Sequence, residues 1–194
     1  MGTMEPDAPA GREWSPDRRA EIVMMAGGLL LLAVGMVVHV VLWSWGRGWA
    51  DVDLALMQMV AGFMALVVLG AAVIVLHELV HGAVIRLLGG RPTFGFGRTE
   101  EGGMAFFYTT APGQVFTRTQ FVVVALAPLV VLGALLAWWV WGGPYGGWLV
   151  LPAALHLSGC VGDLGLTWVV LRQPRGTLVE DRKAGVAFHD ARPA

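Results

Sequence analysis

Four long apolar runs decide what this chain can fold into. They lie at about 22–45, 54–88, 121–141 and 148–171. Each reaches the roughly 20 residues that a helix needs to cross a bilayer. Only helices and closed barrels satisfy their own backbone groups in lipid, so the expected fold is an all-α membrane protein of four transmembrane helices. Composition agrees: the 194 residues are 56% hydrophobic and 14% charged, whereas soluble domains carry about 25% charged residues. A net charge of -1 gives no electrostatic argument for a nucleic-acid partner. The single cysteine, Cys160, excludes an internal disulfide.

The expected organisation follows from these runs. Residues 1–20 are polar and read as a disordered cytoplasmic tail. Residues 21–172 form the membrane domain, and 173–194 form a second cytoplasmic tail. The first run is too long for a cleaved signal peptide, and no small-residue cleavage site follows it. The short connections 46–53 and 142–147 hold one Arg between them, Arg47. The 86–120 connection carries Arg86, Arg91, Arg98 and Arg118, and the tails carry eight further basic residues. The positive-inside rule places both termini and the 86–120 loop in the cytoplasm. Seven of the nine tryptophans, Trp43 to Trp49 and Trp138 to Trp148, fall at the opposite ends of the spans, as an interfacial belt would. Lys183 is the only lysine, an Arg-rich usage associated with GC-rich bacteria, which points to a bacterial cell membrane.

Within the second run stands His77-Glu78-Leu79-Val80-His81, an H-E-x-x-H. A charged residue at mid-bilayer costs about 2.5 kcal/mol or more and is functional by default. On a helix, positions i and i+4 share a face, so both imidazoles can bind one metal ion. Glu78 is rotated from them by about 100°. It is placed to act as general base toward a water in the ion's open position. Zinc is the expected metal.

Hydrolytic zinc takes three protein ligands. His39 lies near the outer end of the first run, most of a bilayer away from the motif, and reads as a buried or interfacial histidine. His189 lies in the tail and reads as solvated. Asp163 fits best as the third ligand. Arg172 follows it by nine residues and Arg86 follows His77 by nine, so in parallel spans the two sit at one depth. His156, Cys160 and Asp163 are spaced i, i+4, i+7 and line one helix face. His156 reads as an oxyanion donor, an orienting partner or a satisfied core histidine. Cys160 reads as a small core residue.

These residues resemble site-2-protease-type intramembrane zinc metalloproteases. They are more closely similar to small bacterial membrane proteins described as zincin peptidases. The resemblance is carried by HELVHGAVIRLLGG, AFFYTTAPGQVFTRTQFVVVALAPLVVL and GCVGDLG, together spanning about 72 to 166. It implies that His77, His81 and Asp163 hold zinc and that Glu78 is the catalytic base. The chain departs from site-2 proteases in three ways. Asp163 follows Gly and precedes Leu instead of standing in Leu-Asp-Gly. His156 occupies a place where Asn is expected. No PDZ-like segment is present.

Residues 93–98 and 104–110 are β-prone and bracket Glu100-Glu101-Gly102-Gly103. They read as a β-hairpin, cytoplasmic or re-entrant, between the second and third spans. Such a hairpin either caps the site or offers an edge to a substrate strand. The expected activity is zinc-dependent hydrolysis of a peptide bond in a membrane-associated protein or peptide. Glu78 takes a proton from the attacking water and can hand it to the leaving amine. Two alternatives remain open from sequence. One is a haem- or metal-binding membrane protein that uses His77, His81 and His156 for storage, sensing or electron transfer. The other is a zinc-binding pseudo-protease.

Overall fold

A computed structural model describes residues 12–47, 56–98, 105–183 and 185–189. Asp17 starts the first helix: its carboxylate accepts from Ala20 N at 2.8 Å, pairing an otherwise orphaned N–H. Helix α1 then runs Arg18–Arg47. Helix α2, Leu56–Leu87, closes on glycines. Gly89 adopts φ 84°, and Gly90 N–H donates to Ile85 O at 2.9 Å, satisfying a terminal carbonyl. Helix α3, Arg118–Gly142, begins with a capping box between Thr117 and Gln120.

A 3-10 turn, Gly146–Leu149, leads into α4, Val150–Gly159, and α5, Val161–Leu171. The fourth span is therefore jointed at Cys160, where an unbroken helix was expected. Leu164 N still donates to Cys160 O at 3.0 Å, so the ladder continues through the joint. Among the described residues, four helical stretches are long and apolar enough to cross a membrane. Small residues let α1 approach α4 and α5 closely. A Cβ on Gly35 would stand 3.0 Å from Ala154 Cα, and Ser158 Oγ donates to Gly28 O at 2.8 Å.

The hairpin expected after α2 is present as β2, Thr93–Arg98, and β3, Ala105–Thr110, paired antiparallel. A second sheet was not expected. It is antiparallel, in the order β1-β6-β5-β4, built from β1 (Arg12–Trp14), β4 (Val115–Thr117), β5 (Leu178–Arg182) and β6 (Gly185–His189). Residues 12–14, 178–182 and 185–189, read from sequence as parts of the two tails, are thus strands. They pair because Phe116, Val179, Val186 and Phe188 form one apolar face, buried against Ile85, Phe121, Val124 and Val170 of the helices. On the outer face, buried Glu180 accepts from Arg182 and from His189, each at 3.1 Å. His189 is therefore tied into the sheet, not loose in solvent. One sheet gathers strands from both ends of the chain and the connection before α3, so these lie at one end of the bundle. Trp45, Trp138, Trp139 and Trp141 are exposed near the other, where α1 meets α3 (a Cβ on Gly46 would overlap Trp141 O). Trp49 lies outside the described residues.

Candidate metal centre

One helical turn separates His77 from His81, and both rings turn toward Asp163 on α5. His77 Nε2 lies 3.2 Å from Asp163 Oδ2, and His81 Nε2 lies 3.4 Å from Oδ1. The two Nε2 atoms are 3.2 Å apart. The structure thus brings together the three side chains that the sequence singled out as ligands, although Asp163 stands 82 residues beyond His81 in the chain.

The proton positions follow from fixed acceptors. His81 Nδ1 is 2.8 Å from Val124 O. A carbonyl only accepts, so Nδ1 carries the hydrogen and the neutral ring's lone pair sits on Nε2, facing the cluster. That carbonyl is free for a reason written in the chain. Residue 128 is proline, which has no N–H to bond the carbonyl four residues earlier, and Pro128 lies inside α3. The second candidate ligand, His77, is fixed by a relay. His156 Nε2 donates to Pro128 O at 3.2 Å, which leaves His156 Nδ1 as an acceptor. His77 Nδ1 stands 3.4 Å from it, donates to it, and turns its own lone pair on Nε2 inward. Both histidines are thereby set in the ligating tautomer by α3, one directly and one through His156.

Both ring nitrogens of His156 are thus within hydrogen-bond reach of a partner, Nδ1 of His77 and Nε2 of Pro128 O. His77 is in edge contact with both other rings, centroids 4.9 Å from His81 and 5.3 Å from His156. His77, His156 and Cys160 form a second set of close donor atoms. That set has no carboxylate, and its His156 Nε2 is committed to Pro128 O. Cys160 is fully buried and lies 3.9 Å from His156 Nε2. His39 is buried elsewhere, hydrogen-bonded within α1 to Gly35 O at 2.8 Å.

Glu78 is held by a residue that sequence reasoning missed. Thr109 Oγ1 on β3 lies 2.6 Å from Glu78 Oε2 and 3.1 Å from Glu78 O. The hairpin reaches α2 because Gly82 follows the motif: a Cβ there would come within 2.6 Å of the Phe94 ring. Phe94 and Thr109 are cross-strand partners, so the ring that seats on Gly82 and the hydroxyl that meets Glu78 share one face. The only trace of this in the sequence is strand alternation through AFFYTT.

His77, Glu78, His81 and Asp163 all line a cavity of about 730 Å³. Its walls come from α1 (Met24, Met25, Leu29), α2 (Gly70, Ile74), β3 (Phe106 to Thr109) and the β5–β6 turn. Most of this lining is apolar.

The residues present fit a zinc ion. Tetrahedral ligands at about 2.0–2.1 Å from zinc stand about 3.3 Å from one another, and the three observed separations are 3.2, 3.2 and 3.4 Å. Two lone pairs facing each other at that distance repel unless a cation lies between them. Asp163 Oδ2 is buried and accepts no aligned hydrogen bond among the described residues, the condition of a carboxylate oxygen left for a metal.

Residues 70–178 match the family described as "Putative zincin peptidase". The match spans more than half of the chain, and the chain belongs to that family. Searches of curated proteins and of solved structures find no match.

Proposed function

We propose that this member of the zincin peptidase family is a zinc-dependent intramembrane or membrane-proximal peptidase. His77, His81 and Asp163 hold the ion and Glu78 is the general base. The observation that carries this reading is the tautomer pattern: α3 turns the Nε2 lone pairs of both histidines toward one carboxylate. When bound, zinc supplies Lewis acidity toward a water and a peptide carbonyl. Glu78, fixed by Thr109, removes the water's proton as its oxygen bonds to the carbonyl carbon. The apolar walls from α1 and α2 suit an apolar peptide segment presented from the membrane. Among the described residues the hairpin sheet has two strands, β2 and β3, so β3 keeps an outer edge there, beside the cavity. That edge supports substrate binding as an added strand, which would expose a peptide bond that a helix shields. The Arg distribution supports a cytoplasmic location for the sheet end of the bundle and both termini.

The test is cleavage of fluorescently labelled casein by the purified, zinc-loaded protein in detergent. Wild type is expected to cut it, and Glu78→Gln to cut at least 1000-fold more slowly, near the upper range for losing a general base. Equal rates for the two proteins would remove Glu78 from the chemistry and the peptidase reading with it.

A further inference from the structure

The inner face of the four-stranded sheet carries one carboxylic acid. Side chains alternate along β5, so Val179 and Asp181 share the face turned toward the helices, and Glu180 and Arg182 share the other. The register extends this across the sheet. Phe116, Val179 and Phe188 form one cross-strand row, and Asp181, Val186 and Trp14 the next. Every one of these is apolar except Asp181. Arg12 ends the first row at the sheet edge, where it reaches Gln173.

Asp181 lines the same cavity as Glu78, His81 and Asp163. Its strand is anchored to the hairpin that holds the base. Thr110 Oγ1 donates to Asp181 O at 3.1 Å, while the preceding residue, Thr109, donates to the Glu78 carboxylate. Glu78 and Asp181 therefore enter the cavity from separate walls, α2 and the sheet, joined by two consecutive threonines. A carboxyl on an apolar face costs free energy, and its neighbour Arg182 pairs with Glu180 on the far side.

We propose that Asp181 is a second catalytic residue of the site: its carboxyl hydrogen passes to the amide nitrogen as the scissile C–N bond breaks. This rests on the peptidase reading above. The protons balance. Water's oxygen bonds to the carbonyl carbon and one water proton goes to Glu78. The nitrogen leaves with the proton of Asp181, and the proton on Glu78 then restores Asp181. One water is consumed for each bond cut.

The electrostatic surroundings fit this role. Burial pushes the Asp181 carboxyl up to about 7, against an ordinary carboxylate near 4. Thr110 and His81 pull it down, and the carboxylates of Asp163 and Glu78 push it up. Arg182 and Lys183 follow it at the cavity rim. Two acids that enter one cavity from separate walls can divide the acid and base roles.

Infrared difference spectroscopy of the purified, metal-free protein tests the protonation without any substrate. A protonated-carboxyl band should titrate near neutral pH in wild type and be missing in Asp181→Asn. With zinc-loaded protein and labelled casein, Asp181→Asn should lose about 100-fold in rate below pH 7 and lose the decline that wild type shows above it. Asp181→Glu should recover part of the rate, and zinc content should be equal in all three. A residue with only a structural role would lower the rate without changing the pH profile. The proposal is overturned if no such band disappears in Asp181→Asn, or if that variant cuts casein with the wild-type rate and pH profile. If wild type cuts nothing, the peptidase reading fails, and with it the catalytic role of Asp181, while the infrared band still decides whether Asp181 holds a proton in the cavity.

Discussion

His81 Nδ1 donates to the carbonyl of Val124 at 2.8 Å, a carbonyl left free because the residue four positions on is Pro128. A helix-breaking residue in α3 thus sets the tautomer of a candidate ligand in α2. Its position also serves the other candidate, since the carbonyl of Pro128 accepts from His156, which in turn accepts from His77.

Pro128→Ala should therefore weaken metal binding. The new N–H would bond Val124 O within the helix and compete with His81 for it. Loss of an orienting partner lowers metal affinity by about 10–100-fold. Competition with a zinc chelator dye measures it. Unchanged affinity in Pro128→Ala would show that the freed carbonyl has no part in holding His81.

Thr109→Val should separate the base from the metal. Valine keeps the shape and suits a strand, but removes the hydroxyl donor 2.6 Å from Glu78. A hydrogen bond to a charged group is worth about 1.5–3 kcal/mol, so casein cleavage should fall by about 10–100-fold at unchanged zinc content, and Thr109→Ser should restore it. A variant that lost zinc instead would place Thr109 in metal binding.

Much of this was legible in the chain. The four apolar runs, the β2–β3 hairpin and the juxtaposition of His77, His81 and Asp163 could be read from run length, from alternation and from matched distances to Arg86 and Arg172. The second sheet could not. Its strands are three to five residues long, too short for a period to show. Arg12–Trp14 finds its partner β6 more than 170 residues away. The contacts of His156 were also out of reach, because they depend on which nitrogen meets which neighbour. Pro128 lies in one of the stretches that carry the family resemblance, but its use appears only when Val124 O is seen against His81.

Stability should carry the signature of Asp181. Its folded carboxyl holds a proton up to about pH 7, whereas the unfolded chain releases it near 4. Between these values the folded state binds more protons, so this group's contribution to stability falls as pH rises through that window and stays low above it. Thermal unfolding followed by tryptophan fluorescence should show Asp181→Asn gaining on wild type from pH 5 to pH 8. An offset between the two proteins that does not change with pH would contradict this.

The central claim is that His77, His81 and Asp163 hold one metal ion while Glu78 does not. Zinc per chain in purified wild type, Glu78→Gln and Asp163→Asn, measured by inductively coupled plasma mass spectrometry, tests it most directly. The account predicts about one zinc per chain in wild type and in Glu78→Gln, and a clear loss in Asp163→Asn, whose neutral amide is a poorer ligand than a carboxylate. Loss of zinc from Glu78→Gln with full retention in Asp163→Asn would contradict it, making Glu78 a ligand and Asp163 a packing residue.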